Sequence, residues 1–161
     1  MVRVLVVATS RKTRGGITAV IKQHEKGEQW KKYHCVWIQT HRDGNALVKL
    51  WYFFSAFCLY MLLFPFCDIV HFHFSERTSA KRKRLMMPLA KMMGKRIIAH
   101  FHAHSVDSTI KSSLCDRYKY LFSTADRCIV LSEFWRSALV KELGIPKDKV
   151  TVLYNPCPEV T

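Results

Sequence analysis

Histidines are the first residues of this sequence that could do chemistry. They recur at alternate positions, as His71-Phe72-His73 and as His100-Phe101-His102-Ala103-His104. On a strand, alternate residues share a face, so each set presents its imidazoles side by side. An imidazole can donate a hydrogen bond, act as a base near neutral pH, or ligate zinc. Neither set contains a carboxylate. Hydrogen bonding to backbone or substrate is therefore the preferred reading, and no metal is expected. The second chemical feature is Gly15-Gly16. Glycine lets the backbone approach a ligand closely, and the N–H groups of a first helical turn can hold a phosphate. The pattern is not G-x-G-x-x-G, so the full dinucleotide fingerprint is missing. An ordinary turn before a helix competes with the phosphate reading.

The elements that would position these groups alternate regularly. Strands are expected at Val2–Ala8, Tyr33–Gln39, Asp68–Phe74, Arg96–Phe101, Asp126–Leu131 and Val150–Tyr154, all apolar or β-branched runs. Helices are expected at Ile17–Gln29, Ala46–Phe64, Arg77–Met93, Ile110–Ser123 and Glu133–Leu143. Gly94 and Gly144 suit helix ends, Ser132 suits a helix start, and Pro65 stops the longest helix. Six strands separated by helices predict an α/β fold, a doubly wound parallel Rossmann-like sheet.

Such sheets bind ligands beyond the carboxyl ends of their strands. Thr9–Gly16 follows the first strand, Thr40-His41-Arg42 the second, Ser75-Glu76-Arg77 the third, and His102-Ala103-His104-Ser105 the fourth. Asn155 follows the sixth. Most of the histidines gather near this edge. With the common strand order 3-2-1-4-5-6, the first and fourth strands would be neighbours, and the Gly15-Gly16 and His102 loops would face each other across one crevice.

Composition sets the broad class. The chain has 161 residues, half of them apolar (49%), which suits one globular domain and excludes a disordered chain. Its formal charge of +14 favours phosphate, nucleic acid or anionic lipid as a neighbour. No helix-turn-helix, RRM or zinc-finger pattern accompanies that charge, and the basic residues are scattered, so nucleic acid is not expected. The six cysteines contain no C-x-x-C pair, and Cys35, Cys58 and Cys128 lie in apolar runs, which reads as small buried hydrophobes in a reducing compartment. The start Met1-Val2-Arg3-Val4 is too β-branched for a secretory signal, so a cytoplasmic location is expected.

The run Leu50–Phe66 would extend about 26 Å as a helix, slightly short of a ~30 Å hydrocarbon core. It also lies between two strands of one sheet, so packing on the sheet is expected. Its aromatic surplus leaves an apolar outer face. Trp51 and Phe54 on that face, with the basic run Lys81, Arg82, Lys83 and Arg84, are candidates for peripheral contact with an anionic membrane surface.

Several stretches together are similar to a known family. They are Gly15-Gly16-Ile17; Asp68-Ile69-Val70-His71-Phe72-His73; Arg96 through Ser105; Asp126-Arg127-Cys128-Ile129-Val130-Leu131-Ser132-Glu133; Leu143-Gly144-Ile145-Pro146; and Lys149 through Pro156. In that order and spacing, the chain resembles the N-terminal half of GT-B-fold glycosyltransferases of family 4, in particular the bacterial capsular and exopolysaccharide branch. The resemblance implies a retaining, hexosyl-transferring enzyme using a nucleotide-sugar donor as co-substrate and no metal. It implies that Gly15 and Gly16 approach the donor phosphates and that His102 sits beside the transferred sugar as the catalytic candidate. Candidates for the acceptor are His73, His104, Ser105, Arg14 and Asn155. The acceptor would be a glycan or lipid-linked molecule at the inner face of the cytoplasmic membrane. By the same resemblance, residues 1–156 form the acceptor-binding domain, 157–161 begin a linker, and the donor-binding C-terminal half lies outside this chain. The chain alone is then expected to have little or no transferase activity. The competing reading is a non-catalytic membrane-surface or partner-binding domain that pairs with a separate C-terminal half.

Overall fold

The apolar runs form six strands: β1 (Val4–Ala8), β2 (Val36–Gln39), β3 (Ile69–Phe74), β4 (Arg96–Phe101), β5 (Arg127–Val130) and β6 (Val150–Val152). The computed structural model describes residues 2–155. Every strand pair is parallel, in the order β2-β1-β3-β4-β5-β6. This corrects the expected order: β1 neighbours β3, not β4. After β2 the chain crosses back over β1 through the long helix α3 (Ala46–Leu63) and enters β3 on the far side. At about 1.5 Å per residue this helix is long enough to run the full depth of the sheet.

The remaining helices are α1 (Gly16–Lys26), α2 (Glu28–Lys32), α4 (Arg77–Met92), α5 (Cys115–Thr124) and α6 (Glu133–Leu143). The β1-to-β2 step and the later steps run in opposite directions across the sheet. Right-handed connections therefore put their helices on opposite faces. The larger core joins α3, α4, α5 and α6 to the sheet through Tyr60, Met86, Phe122 and Leu139, packed on Phe72, Phe74 and Phe101. A smaller core on the other face packs α1, through Ile17 and Ile21, on Val4, Val6 and Trp37.

Local chemistry sets the helix ends. The Asn45 side chain accepts from Val48 N–H at 2.9 Å, and Ser132 Oγ accepts from Trp135 N–H at 3.4 Å. Gly144 ends α6 in the left-handed conformation (φ 67°). Two helices differ from expectation. The first stops at Lys26 because Gly27 breaks it, and α2 follows. The helix expected from Ile110 begins only at Cys115. Before it, Thr109 Oγ1 donates to Ser105 O and Ser112 Oγ to Thr109 O. Such hydroxyl bonds compete with the helical ladder and hold this stretch in turns. The expected linker, 157–161, lies outside the described residues.

Candidate functional site

The loops at the carboxyl ends of the strands enclose a cleft of about 300 Å³. Its first wall is the loop after β1. Ser10 N–H donates to His41 O at 2.7 Å and Ser10 Oγ donates to Gln39 Oε1 at 2.8 Å, which ties this loop to the end of β2. Gly15 then takes φ 149° and ψ 166°, a region costly for any side chain. No side chain caps the start of α1 at Gly16. The N–H groups of its first turn, which a helix leaves unpaired, are available at the cleft.

The opposite wall comes from β3 and β4. His102 N–H donates to Phe74 O at 2.9 Å, extending the β3–β4 ladder by one residue. The strand thus carries the His102 ring into the cleft that Gly15 and Gly16 also line. His102 and the glycines meet across the end of β3, not across adjacent strands. The His102 Nε2 atom is 3.0 Å from His73 Nδ1. Burial lowers the His102 pKa to about 4, and the nearby His24 adds to the effect. At neutral pH this imidazole is uncharged, so it offers a hydrogen bond to a ligand and not a positive charge.

Further out, the exposed His104 places Nδ1 2.9 Å from Glu76 Oε1, and Glu76 also accepts from Ser108 Oγ at 3.1 Å. Glu76 lines the cleft but is absent from the sequence-derived candidates. Its signal was its position, the second residue after β3. Arg14 and Asn155, both exposed, complete the rim.

The sequence profile of Glycosyltransferase Family 4 matches residues 4–158. The chain belongs to glycosyltransferase family 4. No curated protein matches it in sequence. Among solved structures, it is similar to Anabaena Alr3699/HepE in complex with UDP, at 13% identity and a TM-score of 0.62, covering 96% of this chain and 44% of that one. The same protein with UDP and glucose gives 12% identity and a TM-score of 0.62, covering 98% of this chain and 45% of that one. The six-stranded sheet with its flanking helices is thus the N-terminal half of a GT-B fold, and this family 4 chain spans less than half the length of those structures.

The structure corrects several candidate residues of this family 4 domain. His73 is 1% exposed, lies behind His102 with Nδ1 3.0 Å from its Nε2, and does not line the cleft. Ser105 does not line the cleft; its hydroxyl accepts from Ser108 N–H at 3.3 Å and its carbonyl from Thr109, so it builds the turn. Lys83 cannot contact a membrane. It is fully buried and donates to Thr40 Oγ1 at 2.7 Å, and burial pushes its pKa well down. Arg82 is half-buried and donates to His41 Nδ1 at 3.2 Å. Only Lys81 and Arg84 of that basic run are exposed, because a helix turns successive residues to different faces. Cys58 is exposed, unlike the buried Cys67 and Cys128.

Two surfaces lie away from the cleft. The helix α3 buries only Ala56 and Tyr60, while Trp51 is 67% and Phe54 58% exposed, with Leu47, Leu50 and Leu62 beside them. With the turn that follows, Ala46–Phe66 is long and apolar enough to cross a membrane by length and composition. Its place as the connection between two strands of one sheet instead holds it against the domain. On the opposite face, His71, His73, His100 and His102 stack along β3 and β4, and His24 of α1 lies over His73 and His100 at 6.5 Å. A pocket of about 700 Å³ opens beside them, lined by His24, His71, Trp30, Tyr33 and Ile98.

Proposed function

We propose that this domain is the acceptor-side half of a retaining glycosyltransferase of the capsular and exopolysaccharide type. It would move a hexosyl group from a nucleotide-sugar donor to a membrane-associated glycan or lipid-linked acceptor. The observation that carries this reading is the shared cleft of Gly15, Gly16 and His102 in a family 4 chain. The first-turn N–H groups of α1 meet the donor phosphates, and Arg14 on the cleft rim faces the acceptor. Neutral His102 gives a hydrogen bond to the transferred sugar. The His104–Glu76 pair and Asn155 face the acceptor. This reading needs no metal in the cleft. Sugar transfer also requires a second, donor-binding half to close over the cleft and exclude water.

The test is an NMR titration of the chain with nucleotide sugars such as UDP-glucose. Shifts confined to Thr13–Thr18, Glu76, His102 and Asn155 are expected. Shifts elsewhere, or none at millimolar ligand, would reject the reading. For a chain joined to a donor-binding half, His102→Ala should abolish most transfer, and the anomer of the product checks retention.

The exposed face of α3 and the basic residues Lys81 and Arg84 support peripheral attachment at the cytoplasmic membrane surface. Co-sedimentation with anionic vesicles should fall when Trp51 and Phe54 are both replaced by Ser. This face alone would equally suit a non-catalytic membrane-surface domain. The cleft is what favours transfer.

A further inference from the structure

We propose that His71, His73 and His100 form a binding site for one divalent transition-metal ion of the zinc class, set in the sheet face behind the cleft. The inference does not rest on sugar transfer. It starts from strand register. The parallel pairing of β3 and β4 puts His73 opposite His100, and His71 two residues earlier on the same face. One ring nitrogen from each residue lies within 4.8 Å of the others.

The second observation is hydrogen bonding. His71 Nε2, His73 Nε2 and both ring nitrogens of His100 are buried without a partner. A buried polar atom left unpaired costs about 1–3 kcal/mol, and proteins seldom accept several at one spot. A metal ion turns such converging lone pairs into bonds. The arrangement also has the expected outer support. When His73 Nε2 ligates, its Nδ1–H donates to His102 Nε2, the contact at 3.0 Å. The neutral His102 then carries its proton on Nδ1.

The donor set selects the ion. Three imidazoles without thiolate or carboxylate suit zinc, cobalt, nickel or copper, not magnesium or calcium. Zinc–nitrogen bonds of about 2.0–2.1 Å would draw the nitrogens to about 3.3 Å apart, through rotation of the rings. The pocket of about 700 Å³ beside His71 and His73 supplies an entry path and room for a water as fourth ligand. The sequence reading expects no metal because neither histidine repeat brings a carboxylate. The register supplies a third imidazole from the neighbouring strand instead.

The experiment uses the untagged chain, stripped with a chelator and titrated with Zn²⁺ against a chromophoric competitor. One Zn²⁺ per chain is expected, bound more tightly than about 10 µM. His71→Ala and His100→Asn should each weaken binding at least about tenfold. His34→Asn, at an exposed histidine elsewhere, should leave it unchanged. Co²⁺ added to the unaltered chain should give the intense visible bands of a tetrahedral nitrogen site, which decides the matter even if a variant fails to fold. Absence of those bands, no stoichiometric Zn²⁺, or binding indifferent to His100 would overturn the proposal.

Discussion

Phe72 and His73 are adjacent in sequence and lie on opposite faces of β3, as Phe101 and His102 do at the end of β4. The two faces have opposite characters. On one, Phe74, Phe101, Phe122 and Trp135 meet edge-on or tilted, with ring centroids between 5.0 and 5.6 Å. That face is closed by four helices and carries the larger core. On the other, imidazoles stack with buried nitrogens unpaired, beside an open pocket. The first face carries most of the core, and the second only the smaller one under α1. The second also holds groups whose burial costs stability, and which ligand or metal binding can satisfy.

The largest break in this comparison should come from the aromatic face. Phe101→Ala is expected to cost about 3–5 kcal/mol in urea unfolding, because the ring is buried on all sides and leaves a cavity. A loss below about 1 kcal/mol would show that the fold's stability lies elsewhere.

Acid should act on the histidine face. Burial lowers the His71 pKa to about 3 and that of His102 to about 4, and lowers those of His73 and His100 as well. The folded chain therefore binds fewer protons than the unfolded one below about pH 6.5, so stability falls as pH falls. In the presence of chelator, the loss between pH 6.5 and 5.5 should be on the order of 4 kcal/mol, about 1 kcal/mol for each of the four histidines. A flat thermal-melting profile across that range would contradict the buried, neutral imidazoles.

The rim between the two faces is next. Gly15→Ala forces a side chain into φ 149° and should cost about 1–3 kcal/mol, read by thermal melting. It should also weaken nucleotide-sugar shifts at the cleft. Smallest is His100→Leu. Removing unpaired ring nitrogens from an apolar setting should leave the metal-free chain unchanged or up to about 1 kcal/mol more stable. Added Zn²⁺ should then no longer raise its melting temperature. A large destabilisation without metal would mean that His100 packs as part of the core.

The strands were legible because they carry continuous apolar runs such as Val4–Ala8 and Ile97–Ala99. The glycine loop and the histidine repeats were legible because their spacing is local. Glu76 was harder to see, since its role comes from meeting His104 across a loop, at 2.9 Å. Lys83 was misread for a related reason. A basic run looks uniformly solvated in sequence, whereas the helix turns one of its members inward to Thr40.

The sequence by itself determined a parallel α/β domain with a glycine loop and histidines near the ends of its strands. Alternation along each strand is a local property of the pleated backbone, so it can be read one segment at a time. Only the tertiary structure decided that β3 lies between β1 and β4, and that His73 stands opposite His100. Strand order and register depend on how the crossover helices pack over the whole sheet. That energy belongs to contacts between segments far apart in the chain, and no short stretch of residues contains it.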